Sequence, residues 1–543
     1  MGGGSPQDAR GEDTVGRLAP NQALAVEIVE RLRQLGVRTV CLCPGGRNAP
    51  IVEALEPLRG ELTVLDFFEE RSAAFFALGR ARRDHRPVAV VTTSGTAAAE
   101  LLAPMVEAYY AGTPLVAVTA DRPAAFRGTG APQSIEQRNL FGVYARQAID
   151  LDVAETSWSI DRCCWPVHLN VCFDEPLLAG WDSTRTASLT ADVAAVRNRQ
   201  EPATDARREL AAAAHRAKRP LLVVGSLQDV QDREDTLTFC RRLGAPVLAE
   251  AGSHIKPDLG RLLLRGGEVV AAGGLERGLF DAVFRIGDIP SFRLWRDLEQ
   301  APDLPVLSLS RQPWRGLTHG VHSQVAPGSR LPLDDLGPAA DFPAAVAAEL
   351  RGRDDRVVAL IEDLLLRHPL SEPAVVRGLS QAIDAGSFVY LGNSLPIREW
   401  NGFACPERRF EIGENRGANG IDGQLSTFFG AARPGPGNWA VVGDLTALYD
   451  LPSPWALRHL DVPVRIVVIN NGGGRIFGRL FANPRFQNLH GLGFDGWARM
   501  WDLPLVTDVA GCPADAPAVV VELRPDAGQT DAFWREFRVG LAL

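Results

Sequence analysis

No stretch of this chain reaches the ~18 consecutive apolar residues that a helix needs to cross a bilayer, so a membrane span is not expected. The opening segment, MGGGSPQDARGEDTVG, has no apolar signal core. Secretion is therefore not expected, and residues 1–16 read as a disordered tail. Cysteine is sparse. Eight are scattered at positions 41, 43, 163, 164, 172, 240, 405 and 512 of 543, which excludes a disulfide framework and suits a reducing, cytoplasmic setting. Cys41 and Cys43 alternate along an apparent strand and read as buried thiols rather than metal ligands. Positive charge is not in excess either. Lys and Arg number 57 against 66 Asp and Glu, a net charge of -9, which argues against nucleic acid as the main partner.

The composition that remains is globular, 46% hydrophobic and 23% charged, at a length that suggests roughly three domains of about 150–200 residues. Leu24, Ile28, Leu32 and Leu35 recur at helical spacing, with Gly36 placed to end the helix. Apolar runs at 39–43, 88–91 and 115–119 each lead into a polar turn. Alternation of such strands with helices predicts parallel sheets covered on both faces. Residues 88–123 and 440–474 share a pattern of strand, polar turn, helix, Pro and second strand. Val91 and Pro114 lie 23 apart and Val442 and Pro463 lie 21 apart, which predicts two related α/β domains flanking a third. The middle domain begins near 205, with strands expected at 219–225, 247–249, 282–286 and 305–309. Segments 186–204 and 326–356, rich in Pro, Gly, Asp and Ala, read as linkers.

The chemistry concentrates between Gly443 and Gly474. One apolar run ends in Gly443-Asp444; the next ends in Asn470-Asn471 and three glycines. Adjacent parallel strands would deliver a carboxylate and a carboxamide to one sheet edge. Mg²⁺ prefers oxygen ligands at about 2.0–2.1 Å in an octahedron. Asp444 and Asn471 suit it, with a backbone carbonyl, Gly473, turned inward by the glycine run. Phosphate oxygens and water would fill the other places. A second acidic feature, Phe67-Phe68-Glu69-Glu70-Arg71, reads either as a helix N-terminus or as a shielded acid. The residues alone do not choose between Glu69 and Glu70. Arginines stand in four motif loops: Arg47 in CPGGRNAP, Arg122 in ADRP, Arg398 in NSLPIR and Arg416 in ENRG. Guanidinium groups there suit substrates with several carboxylates. Arg293 is a weaker fifth.

These motifs, with 27 residues from Asp444 to Asn471, resemble the thiamine-diphosphate superfamily of pyruvate decarboxylase and acetolactate synthase. Within it, GDLTALYD and NNGGGRIF look most like the menaquinone-pathway family of 2-succinyl-5-enolpyruvyl-6-hydroxy-3-cyclohexene-1-carboxylate synthases. FEERSAAFFALG, VTTSGTAAAELLAP, GAPQSIEQ and ENRGANGIDGQLST follow in the expected order. The resemblance implies three doubly wound parallel-sheet domains: pyrimidine-binding at 17–190, a middle domain at 191–355, and diphosphate-binding at 356–543. It also implies thiamine diphosphate held through Mg²⁺ (or Mn²⁺), and decarboxylation of 2-oxoglutarate with 1,4-addition of the succinyl unit to isochorismate. The active unit it implies is a homodimer or homotetramer with shared sites.

Residue by residue, the resemblance assigns Glu70 as the acid that shares a proton with the aminopyrimidine ring, a role needing a raised pKa. Phe67, Phe68, Phe75 and Phe76 would shield it. Gln133 would hydrogen-bond a developing oxyanion or a substrate hydroxyl. Gly443, Asp444, Leu445, Thr446, Asn471, Gly473 and Ser394 would line the diphosphate, and Ile421 would prop the bent cofactor. Ser394 and the five arginines would meet carboxylates, and Ile476 and Phe477 would wall the cyclohexadiene ring. Three positions depart from the family pattern: Leu445 replaces a glycine, Gly46 a serine and Pro132 an asparagine, the last two near the expected acceptor. Another thiamine-dependent carboligase or decarboxylase, or a non-catalytic binding protein of the same fold, would carry many of the same motifs.

Overall fold

A computed structural model of the chain describes residues 18–152, 158–161, 164–183, 205–326 and 328–542. The expected tail, the expected linker at 186–204 and Cys163 lie outside these. Described residues up to Ala77, Asp84–Met105 and from Thr113 to 183 form one compact unit. Leu78–Arg83, Val106–Gly112 and the described residues from 205 onward form another.

The first unit is built on a six-stranded parallel sheet. Its strands are β1 (Thr39–Leu42), β2 (Thr63–Asp66), β3 (Val88–Thr92), β4 (Leu115–Asp121), β5 (Gln147–Leu151) and β6 (Val167–Cys172), in the order β2-β1-β3-β4-β6-β5. The four inner strands are buried along their whole length, as a sheet covered on both faces requires. The helix Pro20–Gln34 buries Leu24, Ile28 and Leu32 against this core. Leu35 stays half-exposed, and Gly36 turns the chain at φ +94°.

The second unit carries two parallel sheets. One has β7 (Pro220–Val224), β8 (Val247–Ala249), β9 (Ala282–Ile286), β10 (Val306–Ser310) and β11 (Val321–Gln324), ordered β11-β10-β9-β7-β8. The other has β12 (Phe388–Leu391), β13 (Glu411–Gly413), β14 (Asn438–Gly443), β15 (Val464–Ile469), β16 (Leu505–Val506) and β17 (Ala518–Leu523), ordered β13-β12-β14-β15-β17-β16. Taken strand by strand, this order repeats that of the first sheet. The likeness read between 88–123 and 440–474 thus extends to whole sheets, while the five-stranded sheet differs.

The expected linker at 326–356 is a correction. A helix spans Ala344–Arg367 and takes in the linker's last part, from 344 to 356. The alanines that suggested a linker are strong helix formers, and Leu350, Val357, Ile361, Leu364 and Leu365 bury one face at helical spacing. The expected boundary at 355/356 therefore falls inside a continuous helix. Cys43, Cys172, Cys240, Cys405 and Cys512 are free thiols. Among the described residues no helix is long and apolar enough to cross a membrane.

Candidate active site

β14 and β15 are parallel neighbours with Gly443 opposite Ile469, so Asp444 and Asn470-Asn471 leave the sheet at one edge. The two asparagines diverge. Asn470 Nδ2 donates to Glu522 Oε1 (2.6 Å) and to the Leu492 carbonyl (2.9 Å), a purely internal role. Asn471 Nδ2 donates to both oxygens of Glu372 (3.1 and 3.0 Å), and its Oδ1 is buried without a hydrogen-bond partner. Asp444 is held rigidly. Its Oδ1 accepts from Leu445 N–H (2.6 Å), its Oδ2 from Gly472 and Gly473 N–H (2.8 Å each), and His490 Nε2 stands 3.4 Å from Oδ2. Burial raises the Asp444 pKa, and these donors oppose the rise. Gly473 sits at φ +135°, where a Cβ would lie 2.6 Å from the Gln487 carbonyl, so glycine is required. Its own carbonyl accepts from Arg475 N–H at 2.8 Å. An orphaned amide oxygen beside a fixed carboxylate suits a hard oxygen-seeking cation.

This edge opens into a cavity of about 950 Å³. Gly443, Leu445, Thr446, Gly473, Ser394, Ile421, Ile476, Phe477, Arg293, Arg398 and Arg416 all line it, so the second unit brings the expected residues of its half together. Ser394 is in the left-handed region (φ +75°) as the chain enters helix Leu395–Phe403. Arg398 donates to the Ser394 carbonyl (2.6 Å), and burial lowers its pKa, helped by Arg416 nearby. Arg416 donates to Asn393 Oδ1 (3.0 Å) and keeps its buried Nε unpartnered. Arg293 is mostly exposed and pairs with Asp297 at 3.3 Å.

In the first unit, Glu70 begins helix Glu70–Asp84 and faces a cavity of about 490 Å³ lined also by Glu69, Arg71, Thr93, Ser94, Thr96, Ala97, Glu100 and Gln133. The two neighbouring acids separate. Glu69 accepts from Arg71 N–H (3.2 Å) and Ser72 N–H (2.9 Å), the open N–H groups of the helix start. Glu70 has its pKa raised, by burial first and then by Glu69 and Glu100. The expected phenylalanine shield is a correction. Phe67, Phe75 and Phe76 are buried in the core, Phe68 is 56% exposed, and none lines the cavity. In helix Glu70–Asp84 side chains three and four apart share a face, which carries the aromatic stripe away from Glu70. Gln133 sits on an exposed turn at φ +55° and lines the same cavity.

Residues 23–140 match the family model described as the N-terminal TPP binding domain of thiamine pyrophosphate enzymes. A 2-succinyl-5-enolpyruvyl-6-hydroxy-3-cyclohexene-1-carboxylate synthase of Bdellovibrio bacteriovorus is 40% identical over 533 residues, covering 95% of this chain and 98% of the relative. Synthases of the same name from Akkermansia muciniphila (38%; 91% and 95% covered) and Rubrobacter xylanophilus (34%; 88% and 89%) are similar along nearly their whole length. The chain belongs to the 2-succinyl-5-enolpyruvyl-6-hydroxy-3-cyclohexene-1-carboxylate synthase family. It is therefore a thiamine-diphosphate-dependent enzyme of menaquinone biosynthesis.

Two of the expected arginines of this synthase are tied to protein groups and line neither cavity. Arg47, 7% exposed, donates to the Phe173 carbonyl (3.1 Å) and Glu175 (2.7 Å). Arg122 donates to the Pro132 carbonyl (3.2 Å) and lies 3.5 Å from Glu175. Glu175 thus gathers both. Sequence reading also missed Glu372, Glu399, Arg479 and His490. Glu372 and His490 come from segments outside the quoted motifs, while Glu399 directly follows NSLPIR and Arg479 lies two residues past NNGGGRIF. Glu372 and Glu399 are buried side by side, and burial pushes both carboxyls up, Glu399 the further.

Proposed function

We propose that this synthase decarboxylates 2-oxoglutarate and adds the succinyl unit in 1,4 fashion to isochorismate, giving 2-succinyl-5-enolpyruvyl-6-hydroxy-3-cyclohexene-1-carboxylate. The observation that carries the reading is one cavity uniting the Asp444–Asn471 pair with Arg398 and Arg416, a cation seat beside guanidinium groups for carboxylates. Bound thiamine diphosphate would supply the nucleophilic carbon and the electron sink for loss of carbon dioxide.

The chain's own groups bind, orient and move protons. Asp444, Asn471 Oδ1 and the Gly473 carbonyl would hold Mg²⁺ (or Mn²⁺) when thiamine diphosphate is bound, and Gly443, Leu445, Thr446 and Ser394 would line the diphosphate. Ile421, which lines the cavity, would support the bound cofactor. Glu70, whose pKa burial raises, would share a proton with the aminopyrimidine of the bound cofactor. Arg398, Arg416 and Arg293 orient carboxylates in one unit, and Arg47 and Arg122 do so in the other once they leave Glu175. Gln133 donates to the oxygen that gains charge, and Ile476 and Phe477 exclude water along the ring. Glu70 and Asp444 belong to different units. We take the working enzyme to be a cytoplasmic homodimer or homotetramer in which the first domain of one copy completes the third of another. Neither nucleic acid nor membrane is a partner in this reading.

Purified protein supplied with thiamine diphosphate, Mg²⁺ and 2-oxoglutarate, with and without isochorismate, tests it by mass spectrometry. The adduct should form only with both substrates. Equal consumption of 2-oxoglutarate without isochorismate would assign a plain decarboxylase. Cofactor binding without turnover of any 2-oxoacid would assign a binding protein.

A further inference from the structure

Glu372 opens helix Glu372–Ala382 in the second unit and is 2% exposed. Its position is fixed twice: Ser371 caps the helix by accepting from Ala374 N–H, and the Glu372 N–H donates to Thr530 Oγ1 at 3.0 Å. Nothing in the family motifs points to it; it lies 99 residues before Asn471. Its carboxylate nonetheless receives Asn471 Nδ2 at 3.1 and 3.0 Å. Glu399, Arg479 and Asp444 are the other charged groups that face it.

A carboxamide has one end that donates and one that accepts. Only the oxygen ligates a hard cation. Nothing intrinsic to an Asn side chain selects which end faces a given direction, because a half-turn exchanges two groups of similar size. With Nδ2 anchored on two carboxylate oxygens, the other end is Oδ1, and that atom is buried without a partner. Asp444 meanwhile is locked by three backbone N–H groups, two of them from the turn that follows Asn471. We propose that Glu372 is a positioning residue of this synthase: it holds the Asn471 carboxamide by its nitrogen so that Oδ1 is presented to the divalent cation. Glu372 does not touch the cation, since the amide nitrogen lies between. The proposal rests on the reading of Asn471 and Asp444 as cation ligands.

The test is Mn²⁺ retention by the full-length protein in the presence of thiamine diphosphate, read by electron paramagnetic resonance of free Mn²⁺, with no turnover involved. Losing an outer partner of a metal ligand weakens metal affinity by about 10–100-fold. Glu372→Ala should fall in that range. Glu372→Gln loses the charge but keeps an accepting oxygen for Nδ2, so it should stay within about 3-fold of the parent. Equal weakening in both variants would mean that charge, not orientation, is what Glu372 supplies, and would overturn the proposal. Should Glu372→Ala fail to fold by circular dichroism, Glu372→Asp decides, because its shorter arm withdraws the anchor; unchanged Mn²⁺ affinity there overturns it too. Asp444→Ala and Asn471→Ala separate the two levels. If neither weakens Mn²⁺ binding, the cation site itself is wrong. If both do while Glu372→Ala does not, only the positioning role is lost.

Discussion

Glu69 and Glu70 show what spacing can and cannot tell at the scale of a single residue. Both are acids at a helix start, and chemistry alone makes them interchangeable. The hydrogen bonds separate them: Glu69 is engaged by Arg71 and Ser72 N–H, while Glu70 stands at the cavity with its pKa raised. The same holds at Asn470 and Asn471, where only the second keeps a free oxygen. Motif position was legible in both pairs, and the motif spacing and family resemblance named Asn471 and Glu70; the physical reason for each choice came from the fold, because it depends on which groups each side chain meets. Glu70→Gln should slow deuterium exchange at the thiazolium carbon of added cofactor by about 10²–10⁴-fold, as loss of a positioned acid does. Its Mn²⁺ and cofactor affinities should be unchanged. Exchange at the parental rate, followed by NMR, would remove Glu70 from the role. Glu69→Ala should instead cost about 1 kcal/mol of stability by urea unfolding, the usual scale for losing a helix-start acceptor, with the native protein's exchange rate at the parental value.

At the scale of elements, burial rather than position in the sheet makes a strand legible: β8 is an edge strand, but it is buried along its length and is read at 247–249. β3, β4, β7, β14 and β15 are near-continuous apolar runs inside their sheets, and the sequence reading finds them within a residue or two. β2, β5, β11, β13 and β16 lie at sheet edges, are partly exposed, and so lack the run. β6 is an inner strand broken by His168 and Asn170. Those polar residues belong to a buried network centred on Gln137, which is fully buried. Gln137 Nε2 donates to the Ala120 carbonyl (3.1 Å) and Asn170 Oδ1 (2.9 Å), and its Oε1 accepts from Gly95 N–H (2.8 Å). It therefore ties β4 and β6 to the turn at Gly95, against which Gln133 packs. Gln137→Leu would leave those groups buried and unpaired, each unmet partner costing about 1–3 kcal/mol. Urea unfolding should show a loss of that order, and kcat should fall more than KM for 2-oxoglutarate rises as Gln133 loosens. A variant as stable as the parent would mean that water replaces the amide.

Over the whole molecule, opposing sets of buried titratable groups set the response to acid. His168 in the first unit and His254 in the second are held neutral by burial, with pKa values lowered to about 4 and about 3. Thr119 Oγ1 donates to Asn170 Oδ1 and so accepts from His168 Nε2–H at 2.8 Å, a bond that the neutral ring and the imidazolium can both make, so burial is what keeps the ring neutral. Below about pH 6.5 the unfolded chain protonates these imidazoles while the folded chain does not. Their contribution is complete above that value and is lost as pH falls toward 4. Buried acids act the other way. Burial pushes Asp288 up to about 6 and Glu414 up to about 7, so the fold keeps protons that the unfolded chain releases, and stability drains as pH rises through those values. The parent's acid profile is therefore flatter than either set alone would give. His168→Asn removes one member of the first set. The stability gap between parent and variant, measured by urea unfolding of the first unit, should be widest near pH 7 and should narrow toward pH 4.5. The narrowing is bounded by about 1.4 kcal/mol per pH unit, the free energy of one proton per unit. A gap independent of pH would mean that the His168 ring titrates in the fold as it does in the open chain, and that burial does not hold it neutral.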